Sequence, residues 1–169
     1  MNRRDFAVRL AALAGLPLLP AACARAKDPS GLGQIGRVPA YWRPLLRPEQ
    51  YEILFNEGTE RAGSSPLNHE KRTGTFICVA CFLPLFSSKT KYDSGTGWPS
   101  FWQPLPDSVG TSPDHKLWVE RTEYHCKRCG GHQGHVFDDG PPPTGLRYCN
   151  NGLALDFVPV DETLPALRG

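Results

Sequence analysis

Cys78-Val79-Ala80-Cys81 returns as Cys126-Lys127-Arg128-Cys129, two C-x-x-C knuckles 44 residues apart in a chain of 169. Four thiolates are the set a tetrahedral zinc site takes when no position stays open for chemistry. The separation exceeds zinc-finger spacing, so one site would tie together two distant hairpins of a larger fold. The pairs could instead be disulfides or redox centres, but two knuckles of matching spacing in one chain favour the metal. A fifth cysteine, Cys149, stands alone in Arg147-Tyr148-Cys149-Asn150-Asn151. It reads either as a small buried residue or, with an arginine and two asparagines beside it, as a nucleophile.

Around the knuckles the chain is punctuated for β-structure. Seventeen glycines and seventeen prolines imply many turns and short strands rather than a helical bundle. Apolar residues come in short runs: Phe76-Ile77, Phe82-Leu83, Leu117-Trp118-Val119 and Leu153 to Val160. Leu153, Leu155, Phe157 and Pro159 alternate, as in a strand with one buried face. One short helix is expected from Pro48-Glu49-Gln50 through Phe55, with proline near its first position and Gly58 at its end. No internal repeat stands out beyond the two knuckles.

The N-terminus reads as an address. Asn2-Arg3-Arg4-Asp5-Phe6 is a twin-arginine pattern, followed by 13 uncharged residues from Leu10 to Ala22. That run is too short to span a bilayer and suits a signal segment. Ala22-Cys23-Ala24 or Ala24-Arg25-Ala26 would present the small-residue cleavage site. The alternative is a lipobox that anchors the chain through Cys23, ranked second because Pro20 stands where such a box has leucine. Export of the folded chain, to a periplasmic location, is the expectation. Organisation then follows as a signal region over 1–26, a Gly-containing linker over 27–41, a domain over 42–160 and a tail over 161–169. Arg3, Arg4 and Arg9 against only Asp5 put the whole formal charge of +2 in the leader. The balanced remainder has no basic stripe interleaved with aromatics, which excludes nucleic acid as a partner.

Two further stretches bear chemistry. Tyr92-Asp93-Ser94-Gly95-Thr96-Gly97-Trp98-Pro99-Ser100-Phe101 could offer Trp98 as a flat apolar wall to a ligand, or be a tight turn over buried aromatics. Gly130-Gly131-His132-Gln133-Gly134-His135-Val136-Phe137-Asp138-Asp139-Gly140 holds two histidines three apart. The cysteines already fill one metal site, so His132 and His135 are better used as acid–base groups near Cys149 than as ligands.

These stretches, in this order and framed by both knuckles, resemble the methionine-R-sulfoxide reductases, the B-type enzymes. The similarity runs from about Trp42 to Val160. It implies a mainly β fold of two antiparallel sheets, tent- or barrel-like, with a structural Zn²⁺ on Cys78, Cys81, Cys126 and Cys129 away from the active centre. It implies Cys149 as nucleophile, surrounded by His132, His135, Asp139, Arg147 and Asn151, with Trp98 receiving the methyl group of the sulfoxide. Substrates would be oxidised proteins or peptides, and a monomer is expected. In that chemistry a Cys149 thiolate, its pKa lowered by Arg147, attacks the sulfoxide sulfur. A histidine supplies the proton, Asp139 and Asn151 orient, and the cysteine is left as a sulfenic acid. Many relatives place a second cysteine in the Gly-x-Gly-Trp loop to close a disulfide; this chain has Thr96 there. An external thiol, a thioredoxin-like protein, is therefore expected to reduce Cys149, with Cys23 as the one internal alternative.

Overall fold

The computed structural model describes residues 35–116 and 120–169. The signal region with Cys23, the first part of the linker and the run Leu117-Trp118-Val119 lie outside them. No helix among the described residues is long and apolar enough to cross a membrane.

A one-turn helix α1 (Pro39–Trp42) leads into the expected helix α2 (Pro48–Asn56). Proline at the first turn costs α2 no hydrogen bond, and Gln50 Oε1 accepts the Arg47 amide at 3.1 Å. The helix stops at Asn56, just short of Gly58. Glu57 takes the left-handed position (φ 52°) and Gly58 N–H closes the last turn on Glu52 O at 3.1 Å. Tyr51, Ile53 and Leu54 face inward, and Trp42, fully buried, stacks on Phe55 at 6.1 Å.

Among the described residues nine strands form two antiparallel sheets, as the resemblance implied. The smaller contains β1 (Gly74–Cys78), β2 (Pro84–Ser87) and β9 (Leu155–Pro159), in the order β2-β1-β9. The larger runs β3-β4-β8-β7-β6-β5. Its strands are β3 (Lys91–Tyr92), β4 (Ser100–Phe101), β5 (Val109–Asp114), β6 (Arg121–Cys126), β7 (His132–Phe137) and β8 (Arg147–Asn150). The alternating run at 153–159 enters its strand only at Leu155, because Gly152–Ala154 form a 3₁₀ turn.

Register assigns the two faces of the larger sheet, since paired residues in antiparallel strands point the same way. Phe101, Tyr148, Val136 and Tyr124 share one face through the pairs Phe101↔Tyr148 and Val136↔Tyr148, with Tyr124 two residues from Thr122, the partner of Val136. That face packs on the smaller sheet. Phe86 stacks on Phe101 at 4.2 Å, Phe76 meets Phe101 edge-on at 4.9 Å, and Phe86 approaches Tyr124 and Tyr148. Such ring pairs contribute about 0.5–1.5 kcal/mol each beyond area burial. The opposite face is polar. Ser100 pairs with Cys149, Cys149 with His135, His135 with Glu123 and Glu123 with Ser112. One continuous row across the sheet thus brings the lone cysteine, a histidine and a carboxylate to the same surface.

The tail over 161–169 has no regular structure, yet its end returns to the knuckles: Arg168 N–H donates to Cys81 O at 3.0 Å.

Candidate functional site

Cys149 sits on β8, half-buried, at the floor of a cavity of about 230 Å³. Trp98, Arg121, His135, Phe137 and Asn151 are among its walls. The close approach of β7 and β8 depends on Gly134, where a Cβ would overlap the carbonyl oxygen of Cys149. Trp98 reaches the cavity from the 92–99 loop, whose Gly97 has φ +92° and leaves no room for a Cβ against Gly63 N. The indole is fixed by its Nε1–H, which donates to Glu60 O at 3.2 Å. Trp98 is therefore a cavity wall, while Phe101 of the same stretch is core.

The two histidines divide. His135 lines the cavity, and its Nε2 bonds Asp114 Oδ2 at 2.7 Å. Asp114 is a carboxylate: the Lys116 amide, His135 and Arg121 together hold it well below the usual range. Nε2 therefore bears the hydrogen and Nδ1 is left free to take a proton. Burial pushes the His135 pKa down, against the pull of Asp114, so the ring is neutral at pH 7. His132 is almost wholly buried and gives its Nδ1 to Glu123 Oε1 at 2.9 Å; it does not line the cavity. Residues three apart in a regular strand face opposite ways, but here the pairing slips between Tyr124 and His125, and Gln133 is the extra residue. The bulge turns His132 to the side of His135, with ring centroids 5.4 Å apart. Burial would raise Glu123, but donors from His125, His132 and Ser112 hold it far below its ordinary value.

Arg147 and Asp139 form a two-pronged pair, 2.7 Å at each contact, and the guanidinium lies 4.2 Å over the Phe137 ring. Asp139, more than half exposed, orients Arg147 rather than a histidine. Asn151 lines the cavity, yet both ends of its amide brace the scaffold: Nδ2 donates to Gln133 O and Oδ1 accepts the Glu60 amide. Thr96 Oγ1 stands 4.0 Å from Cys149 Sγ and 2.8 Å from Ser94 Oγ.

The lowered thiol pKa expected from Arg147 is not what the site gives. Burial raises Cys149 above the ordinary thiol value, and Thr96 and Arg147 only partly offset it. A sequence displays the arginine but not the burial. The protonated thiol is thus the resting form at neutral pH. Alkylation of Cys149 by iodoacetamide, followed by peptide mass mapping, should climb about tenfold per pH unit from 7 to 8.5 and level off only above about pH 9. A plateau already reached at pH 7.5 would show a thiolate at rest.

Sequence reasoning missed Glu60, Asp114, Arg121, Glu123 and Gln133. Glu60 is a buried hub: its carboxylate accepts the amides of Gly152 (2.5 Å) and Leu153 (3.0 Å), and burial raises its pKa against them. It joins the Trp98 loop to the chain just after Cys149, a contact across some 90 positions with no local signal. Arg121, Glu123 and His125 did have one: polar residues with a period of two on a strand whose other face is Tyr124 and Cys126.

The knuckles come together within the buried core. Four Sγ atoms of Cys78, Cys81, Cys126 and Cys129 lie within 4.8 Å of one another, with Cys78–Cys129 at 3.7 Å and Cys81–Cys126 at 3.5 Å. A disulfide would need about 2.05 Å, whereas a tetrahedron with metal–sulfur bonds of ~2.3 Å has edges of about 3.8 Å. Among bare thiols, hydrogen bonding to Cys126 pushes Cys78 up while it pulls Cys81 down, so the four cannot ionise together; a dication would take all as thiolates. The donor set fits such an ion. Cys78, Cys81 and Cys126 are fully buried, which removes them from thiol exchange in the folded chain.

The SelR domain family matches residues 46–159, most of the described chain. The chain belongs to that family. Among its relatives is the peptide methionine sulfoxide reductase MsrB of Pseudomonas putida (strain W619), 54% identical over 121 residues, which are 71% of this chain and 91% of the relative. MsrB of Leptospira interrogans (strain 56601) is 54% identical over 117 residues, 69% and 89% of the two chains. MsrB of Agrobacterium fabrum (strain C58) is 49% identical over 128 residues, 75% and 95%. The resemblance read from the motifs, to the B-type reductases, is borne out.

Proposed function

We propose that the chain reduces methionine-R-sulfoxide, chiefly in peptides and proteins, through a sulfenic acid on Cys149. One observation supports this above the rest: a lone cysteine on the floor of a cavity walled by Trp98 and by a neutral His135 backed by Asp114. As the sulfur of Cys149 attacks the sulfoxide sulfur, His135 Nδ1 takes the thiol proton and returns it to the oxygen. Thr96 and Arg147 hold the developing thiolate. The S–O bond passes from the methionine sulfur to the cysteine sulfur, so thiol and sulfoxide become sulfenic acid and thioether with no other reactant. Trp98 takes the S-methyl end, and its fixed indole is the basis for choosing between epimers. Four thiolates form a closed zinc site in this reading, Zn²⁺ supplying rigidity and no chemistry. An external dithiol of the thioredoxin type restores the thiol, because Thr96 has no thiol to offer.

The test is turnover of a peptide methionine sulfoxide, resolved into R and S epimers, with dithiothreitol as reductant. The R epimer should be consumed and the S epimer left. Equal consumption of both overturns the stereochemical assignment, and consumption of neither overturns the function.

A further inference from the structure

Beyond the catalytic face, one group of contacts has no part in the reaction. The extended segment after β9 comes back across both knuckles. Arg168 lays its fork on the first: Nε donates to Ala80 O and Nη2 to Val79 O, each at 2.6 Å, and its amide donates to Cys81 O at 3.0 Å. Three successive carbonyls of Cys78-Val79-Ala80-Cys81 are thereby held by one residue. The guanidinium also lies 4.2 Å from the ring centre of Phe82, which follows the knuckle in a left-handed conformation (φ 63°) uncommon for a bulky aromatic. The second knuckle grips the same segment from the other side. Arg128 Nη1 donates to Arg168 O at 2.6 Å and Nη2 to Gly169 O at 3.1 Å. Arg128 is fixed in turn through its own carbonyl, which accepts the Ile35 amide at 3.1 Å.

Arg168 and Arg128 thus cross-link the two turns whose sulfurs converge. Three of those sulfurs are sealed in the core; Cys129, beside Arg128, is the one with partial exposure. A competing chelator has to enter there, and a metal leaves only if a turn opens or the turns part. Both movements break the bonds of this segment.

We infer that the 161–169 segment is a clasp on the metal centre, in which Arg168 and Arg128 govern the rate of zinc release without touching the sulfurs. The inference rests on the zinc reading given above. Outer contacts that hold metal ligands in place are worth roughly 10–100-fold in metal affinity when removed. The full chain, loaded with one equivalent of zinc, is mixed with a chromophoric chelator and the release followed by absorbance. Arg168→Ala should release zinc roughly 10–100-fold faster than the parent, with unchanged stoichiometry and circular dichroism. Arg128→Ala should shift the rate in the same direction, which keeps the test open should Arg168→Ala fold poorly. Arg168→Lys should also release zinc faster than the parent, because an ammonium on a flexible stem lacks the planar fork that meets two carbonyls while lying over a ring. Release at the parental rate in Arg168→Ala, or in Arg128→Ala should the first fold poorly, overturns the clasp and leaves the zinc site standing. A parent chain that takes up no zinc overturns the metal reading, and the clasp with it.

Discussion

Cys149→Ser should lower sulfoxide turnover by at least about 10⁴-fold while leaving fold and metal content unchanged. A hydroxyl is a far weaker nucleophile than a thiol, and serine oxygen cannot take up the sulfoxide oxygen as a sulfenic acid. The effect on stability should be small, because Cys149 is half-buried on the polar face and a serine hydroxyl can keep the thiol's polar neighbours, Thr96 at 4.0 Å and Arg147. Circular dichroism, melting temperature and zinc content measured beside the kinetics separate loss of chemistry from loss of structure. The parent, turned over once without reductant, should yield a single dimedone adduct on Cys149 and no disulfide. Substantial turnover by the serine variant would move the chemistry to another cysteine.

How far the residues alone led to this site depends on what kind of signal each one leaves. The knuckles were legible because metal ligation imposes a fixed local spacing, and Cys149 because it was left over. Trp98 was ambiguous in its loop; only the fold placed its ring on the cavity and Phe101 in the core. The histidine pair was legible as a pair, but its division was not, since it depends on the Gln133 bulge and on which carboxylate each ring meets. Asn151 neighbours the nucleophile in sequence and so looked like a participant, whereas its amide is spent on Gln133 and Glu60. Asp114 and Glu60 act across long stretches of chain and leave no periodicity to read. The direction of the Cys149 pKa shift failed for a related reason: flanking charge is visible in a sequence, and desolvation is a property of packing.

The second large effect concerns the metal rather than the chemistry. Cys126→Ser should lose zinc and lower the melting midpoint by at least about 8 °C, and chelation of the parent should do the same. Cys126 ends β6, whose other members include Glu123 and Tyr124, and its amide and carbonyl bond the turn at Gly131 and Gly130. Cys78 ends β1 of the other sheet. An ion shared by the two knuckles therefore joins the sheets at one corner, where the described residues place no disulfide. Structural zinc in small domains contributes on the order of 10–16 kcal/mol of apparent binding free energy that is also folding free energy. Losing one ligand removes a large part of it and leaves the buried Cys78 and Cys81 and the partly exposed Cys129 crowded without a cation. Taking the loss as at least ~4 kcal/mol, the range for removal of a metal, a chain of this size loses about 2–4 °C for each kcal/mol. The active-site row would stay intact in the folded fraction, so turnover per folded molecule should change far less than stability. Zinc analysis, calorimetry and turnover at low temperature read the three quantities separately. Full zinc content and a parental melting curve in Cys126→Ser would remove the four cysteines as a metal site.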